Sequence, residues 1–472
     1  MMAATRQPGL ALCSAASRAA GARRRGRAKG TVLIVTMWIL VVLAGMVLVL
    51  ARSMRVEGTC SANHAAGQQA AAIEHGAIQY VLASLDGLNG WTPGEANMPA
   101  EAVRIGEGAF WIIRPGSEEG REQAYGVVDE ASKINLNTAT QAMLSALPGM
   151  TPEIAAALVD WRDADSELTV GGAESEYYLL LPDPYECKNA PLETVEELLL
   201  VKLMSRDVLL GEDINRNGKL DENENDADAT DPPDNRNGKL DAGILHLVTV
   251  YSSEPGNGGS SGSSRPVDVN RARTGELTNV LGSAVPQDRL ADVLIRARLG
   301  RPFENVLDFY YRTGLRIEEF RAVAGRLTTR GTGTVRGLIN IATAPRAVLL
   351  CLPGLEDSDA SALISARSGD NADRDNLAWV AEALAQEKAV GIGSLITTRS
   401  YQFSADIVSV CGNGRAFRRC RIVVDAQNSP PRVIYRQDLT PLGWPLSQEL
   451  LAELRAGKSL DELLKGVRQE VR

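Results

Sequence analysis

Residues 29–51 read KGTVLIVTMWILVVLAGMVLVLA, and from Thr31 to Ala51 they run 21 positions without a charge. At the helical rise per residue such a run reaches roughly 30 Å, the thickness of a bilayer core. The stretch therefore predicts a single membrane-spanning helix. Seven basic residues precede it (Arg6, Arg18, Arg23, Arg24, Arg25, Arg27, Lys29) with no acid among them. The positive-inside bias then puts residues 1–30 in the cytoplasm and everything beyond Arg52 outside. A cleavable secretory signal is the alternative. Its apolar core would be unusually long here, and no clean small-x-small cleavage site follows.

Beyond the membrane the chain is acidic. The 472 residues hold 50 Lys plus Arg against 59 Asp plus Glu. Without the amino-terminal cluster, 43 basic residues face 59 acidic ones, a balance that argues against a body that coats nucleic acid. Three histidines (His64, His75, His246) leave little material for His-based catalysis or a His-rich metal site. The six cysteines show no CxxC spacing and read as small core residues. A tight turn at Gly412-Asn413-Gly414 would set Cys420 opposite Asp406 or Ile407, not opposite Cys411.

Helical periodicity continues through residues 52–88, with Ile73, Ala77, Val81 and Leu85 four apart. Gly108 to Arg114 and Gln123 to Asp129 read as a first hairpin, Ile244 to Tyr251 as a strand, and 252–265 as a flexible linker. Tyr401 to Val410 and Ala416 to Ala426 read as a closing hairpin, with Arg432 to Tyr435 as an edge strand. Ser447 to Val471 reads as a final amphipathic helix that packs locally or meets a partner.

Between the two sheet regions lies an internal repeat. Asn135-Leu136-Asn137-Thr138-Ala139 precedes Leu147-Pro148-Gly149 at the spacing with which Asn340-Ile341-Ala342-Thr343-Ala344 precedes Leu352-Pro353-Gly354. A weaker copy starts at Asp268-Val269-Asn270 and puts Gly282 in register. Each copy reads as an extended piece, a capping Asn or Asp, a helix, a Gly turn and a second helix. The second helices would be Pro152–Trp161, Asp288–Arg298 and Ser358–Arg367. Helix-hairpin-helix DNA receptors share this layout, and residues 265–330 hold 12 Arg against 8 acids. The turns Gly149-Met150-Thr151 and Gly354-Leu355-Glu356, however, lack the second glycine that lets backbone approach phosphate. Packing or partner contact is the preferred reading, and no nucleic acid is expected.

Residues 213–224, DINRNGKLDENE, match a 12-residue EF-hand-type loop. Oxygen ligands fall at Asp213, Asn215, Asn217 and Asp221, Gly218 allows the sharp turn, Lys219 offers its carbonyl, and Glu224 can bind in bidentate fashion. The expected ion is calcium (Ca2+). A chance Asp- and Asn-rich surface loop is the alternative. A weaker echo follows at Asp234, Asn235, Asn237 and Asp241, with Ile244 at the twelfth position.

The junction of Lys29-Gly30 with the apolar run resembles the leader of type IV pilin-like proteins. The resemblance implies that a prepilin peptidase cuts after Gly30 and leaves Thr31 as the new amino terminus. Most such subunits carry Glu at the fifth mature position, whereas this chain has Val35. A subunit that needs no partner amine ahead of it, the one at a filament tip, can dispense with that charge.

Asp160-Trp161-Arg162-Asp163-Ala164-Asp165, Gly171-Gly172-Ala173-Glu174, the paired Tyr177-Tyr178 and the segment Leu192 to Val201 follow in an order that resembles the K-type minor pseudopilin of the type II secretion system. That resemblance implies an α+β fold: a pilin-like long amino-terminal transmembrane helix packed on an antiparallel sheet, with a large all-α insertion of SAM-like or helix-hairpin-helix-like units. It implies an inner-membrane, single-pass protein with its bulk in the periplasm, incorporated into the pseudopilus. The implied partners are other minor pseudopilins, with secreted substrates or the outer-membrane secretin beyond them. No nucleophile-and-base set accompanies the clustered acids, so no enzyme is expected.

The resulting division is 1–30, a leader; 31–52, the transmembrane helix; 53–130, the rest of the helix and a first hairpin; and 131–252, a first helical unit with the calcium loop. A linker at 253–265 leads to a second unit at 266–335 and a third at 336–396. Sheet strands at 397–436 and an extension at 437–472 complete the chain.

Overall fold

The computed structural model describes residues 30–94, 97–114, 124–227, 229–256, 266–368 and 376–458. It divides into two compact units, Met1–Ala62 and Asn63–Arg472. The leader before Gly30 lies outside the described residues, as do residues 257–265 of the expected linker, whose start, Ser253–Glu254, is instead a strand paired with Val335–Arg336.

In the first unit the described chain is the amino-terminal part of the helix Gly30–Leu85. Its apolar side chains from Val32 to Leu50 are exposed, as a lipid-facing surface requires. It is the one helix among the described residues long and apolar enough to cross a membrane.

In the second unit, the same helix lays Ile73, Ala77, Ile78, Val81 and Leu85 on a sheet face formed by Phe110, Ile112, Phe403, Ala405, Ile407, Cys420, Ile422 and Val424. It ends at Leu85, three residues before the periodicity predicts. Two polar contacts fix the register. Ser409 Oγ donates to the Ala70 carbonyl at 3.1 Å, and Arg436 pairs with the buried Glu74 at 2.6 Å. Gly108 is required by close packing, since a Cβ there would stand 2.3 Å from Ile73 Cδ1 and from the Val410 carbonyl oxygen.

The sheet runs Val103–Ile105, Gly108–Arg114, Gln402–Val410, Phe417–Asp425, Arg432–Asp438, antiparallel throughout. The expected first hairpin is only partly realised. Ala124–Tyr125 pairs with Gly108–Arg114, but Gly126 turns at φ 132° and Val128–Asp129 moves across to Gln402–Val410. The closing hairpin places Cys420 opposite Ile407, so Cys411 and Cys420 are not partners. Leu446, Leu451 and Leu454 cover the other sheet face against Trp111, Val408 and Val410. The carboxy-terminal helix thus packs locally, over Gln448–Arg455, and residues 459–471 of its expected span lie outside the described residues.

Residues 130–401 are inserted between Val128–Asp129 and the strand it pairs with, Gln402–Val410. One continuous apolar core, from Ile134 to Ile396, fills this insertion. Each repeat copy opens with a two-residue strand that pairs in parallel with a strand at its own end: Ile134 with Val248, Val267 with Leu327, Ile339 with Ile396. The second helices are Pro152–Arg162, Gln287–Arg296 and Asp357–Ser368. Gly149 and Gly354 turn at φ 71° and 74°, whereas Gly282 stays right-handed at φ −64° and only caps its helix. Two expected elements are shorter: Ile244–His246 forms a 3₁₀ turn before the strand Val248–Thr249, and only Val195–Leu200 of the 192–201 segment is helical, as 3₁₀.

Candidate functional site

The loop at residues 213–224 is closed by local bonds that its sequence dictates. The Asp213 carboxylate accepts from the amides of Asn217 at 2.9 Å and Gly218 at 3.0 Å. Asn215 Oδ1 accepts from the Asn217 amide at 2.9 Å, and Asn217 Oδ1 from the Lys219 amide at 2.7 Å. Arg216 at φ 58° and Gly218 at φ 69° supply the left-handed turns that wrap the chain round these oxygens. Asp221 Oδ2 accepts from the side-chain amides of Asn215 and Asn217 at 2.7 and 2.8 Å.

Glu224, 1% exposed, accepts from the Asp221 amide through Oε2, while its Oε1 is buried without a hydrogen-bond partner. Burial, with Asp213, Asp221 and Glu212 nearby, pushes the Glu224 carboxyl up to about 7. Asp213 is raised too, chiefly by burial. Converging hard oxygens and an orphaned buried carboxylate oxygen are what an oxygen-coordinated divalent cation would satisfy, so the residues fit the group.

The heptapeptide NRNGKLD at 215–221 recurs unchanged at 235–241 and takes the same backbone, with Arg236 at φ 54° and Gly238 at φ 73°. A bridge between Gly211 and Ala242 sets the two loops side by side. In this second loop Gly238 donates to Asn225 Oδ1 at 3.2 Å in place of a first-position carboxylate. Asp234 is taken up by the amides of Arg236 and Asp226, and Asn235 and Asn237 both donate to Asp241. Asn235, Asn237 and Asp241 lie together, exposed or partly so, and no buried oxygen is orphaned among them.

A second group of orphaned oxygens was missed by the sequence reading. Asp160 Oδ2, Asp163 Oδ1, both carboxylate oxygens of Glu174 and Asn189 Oδ1 are buried without hydrogen-bond partners. Asp160 is fully buried, and its other oxygen accepts from the Thr169 amide at 3.1 Å. A Cβ at Gly172 would come within 2.0 Å of Asp160 Oδ2, which accounts for the glycine pair before Glu174. Burial raises Glu174, and Asp160, Asp163 and Asp165 raise it further. The neighbouring Arg162 attracts Asp163 but gives its guanidinium hydrogen bonds to the carbonyls of Leu136 and Ala139. The sequence offers three clustered acids and a GGAE run but sets Arg162 among them, and nothing in it shows that this cation turns away. Among the described residues, no three His, Cys, Asp or Glu side chains stand as a ready metal cluster, so amide and carbonyl oxygens would have to complete either set.

The same region carries exposed apolar side chains: Leu168, Val170, Leu180, Leu200 and Leu203. In the same stretch Lys202 Nζ bonds the Gly172 carbonyl at 2.8 Å and lies over the Tyr177 ring. The arginines of 265–330 are largely engaged elsewhere: Arg289 with Glu319, Arg312 with Asp308, Arg321 with Glu382 and Arg330 with Glu254. Gly30, Thr31 and Val35 lie in the first two turns of the apolar helix, exposed.

Residues 125–210 match the family model described as type II secretion system (T2SS), protein K. No curated protein matches the chain. Among solved structures it is similar to a chain of "The Crystal Structure of the GspK-GspI-GspJ complex from enterotoxigenic Escherichia coli Type 2 Secretion System". Identity is 13% and the TM-score 0.34, over 82% of this chain and 98% of that one.

Proposed function

We propose, from the premise that this chain is a K-type minor pseudopilin of the type II secretion system, that it occupies the tip of the pseudopilus and starts or caps its assembly. The family match at residues 125–210 carries the reading. Val35 supports the tip position: a subunit with no neighbour ahead has no buried amine to neutralise, and a carboxylate in lipid would cost several kcal/mol. The inserted residues 130–401 support it sterically, since a bulge of that size suits the end of a stack better than its shaft.

In this reading a prepilin peptidase cuts after Gly30, Thr31 begins the mature chain, and the apolar helix holds it in the inner membrane. The remainder lies in the periplasm beside other minor pseudopilins. The exposed apolar side chains Leu168, Val170, Leu180, Leu200 and Leu203 are suited to contact with secreted proteins or the outer-membrane secretin. Loop 213–224 holds Ca2+ through Asp213, Asn215, Asn217, Asp221 and Glu224 with the Lys219 carbonyl, and the ion ties the loop together; the orphaned oxygens of Asp160, Asp163 and Glu174 form a second candidate cation centre. The role is structural, with no catalysis.

Immunogold labelling of assembled pseudopili, with mass spectrometry of the mature chain, tests the proposal. Label at one end only and a chain starting at Thr31 are expected. Label along the shaft would overturn the tip assignment, and a chain retaining residues 1–30 would overturn the processing.

A further inference from the structure

Arg419 is fully buried, and its donors are divided between two parts of the fold. Nε and one terminal nitrogen hold the Asp406 carboxylate at 3.0 and 2.8 Å, within the sheet. The terminal nitrogens also donate at 2.6 Å each to the carbonyls of Asn215 and Arg216, in the loop that carries the orphaned Glu224 oxygen. Arg216, turned to φ 58°, reaches from that loop to Glu196 at 3.1 Å and to Gln437 at 3.3 Å. The loop is therefore fastened through its main chain to the strand Phe417–Asp425 and through a side chain to the edge strand Arg432–Asp438.

A guanidinium stays charged in a protein interior and presents five donors, so each one that loses its acceptor in a dry core carries a full desolvation cost. The two loop carbonyls are within reach only while residues 215–218 keep their left-handed turns. Asp213, Asp221 and Glu224 repel one another, and it is a divalent cation among them that would hold those turns closed.

We infer that Arg419 couples the two: occupation of loop 213–224 by a divalent cation controls the order of the last two strands of the sheet, Phe417–Asp425 and Arg432–Asp438. The inference rests on the calcium reading above. With the cation gone the local bonds alone oppose the repulsion of the three acids, the loop opens more often, Arg419 loses two acceptors each time it does, and the two strands loosen although no ligand belongs to them.

Hydrogen exchange on the full chain in detergent, in excess calcium and in EGTA, tests this beside calorimetric titration with calcium alone. Exchange in segments 417–425 and 432–438 is expected to speed up about tenfold in EGTA, with segment 339–368 unchanged. Arg419→Lys keeps a cation on Asp406 but cannot span both carbonyls. It is expected to bind calcium in the titration while exchange at the edge no longer depends on calcium. If the wild-type titration shows no binding, the calcium reading fails and the inference with it. If calcium binds and the wild-type exchange curves coincide, the reading stands and the coupling is overturned, whether or not Arg419→Lys folds.

Discussion

Asn340 donates through Nδ2 to Asp129 Oδ2 at 2.7 Å, joining the opening of the third helical unit to the point where the chain leaves the sheet. Asp129 also accepts from the Ala131 amide and Thr343 Oγ1, each at 2.7 Å, and from Ser400 Oγ, where the chain returns to the sheet. Burial holds the Asp129 carboxyl above its usual range despite these donors. Exit, re-entry and third unit are thus tied at one residue. Asp129→Ala would strand buried donors from four residues and should cost about 3–5 kcal/mol in urea unfolding. A loss below about 1 kcal/mol would mean that the junction is held by apolar packing alone.

The three units share a second fastening. Arg162 bonds the carbonyl of Ala139, Arg298 that of Ala272 and Arg367 that of Ala344, each acceptor four residues after the Asn or Asp in the opening strand of its unit. Substituting any one of them by Met should cost about 1–3 kcal/mol. Because the arginines lie in different units, the double variant Arg162→Met with Arg367→Met should add to within about 0.5 kcal/mol. Strong coupling between the two in denaturation would show that the units do not behave independently.

What was legible in the sequence is what is local. The repeat could be read because Asn135, Asp268 and Asn340 each turn the chain locally, accepting from the amide at i+2 at 2.9, 2.9 and 3.1 Å, although they do not cap the helices as expected: those helices have their N-caps five residues on, at Thr140, Arg273 and Pro345. The pairing of Cys420 with Ile407 followed from a tight turn. The return strands Leu327–Thr328 and Ile396–Thr397 were illegible, because two residues buried on both sides show no alternation, whereas Val248–Thr249 lies within the strand expected at 244–251. The orphaned acids could not be read either. Asp160 Oδ2 and the Glu174 carboxylate are left without donors while Arg162 turns to backbone carbonyls more than 20 residues away. Nor does any spacing reveal that Arg419 meets the carbonyl of Asn215 across 204 residues.

Thiol chemistry should separate the cysteines cleanly. Cys187, Cys351, Cys411 and Cys420 are buried, and burial pushes the thiols of Cys187 and Cys351 up to about 11 and about 12. Cys60 is exposed on the long helix. Maleimide added to the native chain should label Cys60 quickly and these four only after unfolding. Peptide mapping that finds Cys411 joined to Cys420 would contradict the register of the closing hairpin.

His246 gives the stability a pH dependence of predictable sign. Burial, with Lys133 nearby, lowers its pKa from 6.5 to about 4, so the folded chain keeps the imidazole neutral where the unfolded chain protonates it. Between about pH 6.5 and 4 the unfolded state binds more protons, and stability falls as the pH falls. The full contribution, up to about 3 kcal/mol, is present above pH 6.5 and gone below 4. His246→Gln should flatten that part of the urea-midpoint profile. An unchanged slope across the window would show that His246 is solvated in the native state.

Glu224 is the position at which calcium binding and folding should be separable. With Oε1 free of partners, it is the side chain of loop 213–224 best placed to gain from a cation, and a bidentate twelfth ligand supplies two of the oxygens round the ion. A ligand that binds only the folded chain stabilises it by mass action, so the wild type in excess calcium should melt several degrees above the same protein in EGTA. Glu224→Gln keeps the shape and the bond from the Asp221 amide but removes the charge, and should weaken calcium binding by at least about tenfold and abolish most of the EGTA effect. Because burial raises the pKa of Glu224, the neutral glutamine should cost little stability in EGTA itself. Asn235→Ala, in the exposed second loop, should leave most of the calcium response intact. If Glu224→Gln melts as far apart in calcium and EGTA as the wild type does, the ion that stabilises this protein sits elsewhere, and the orphaned oxygens of Asp160, Asp163 and Glu174 become the place to look.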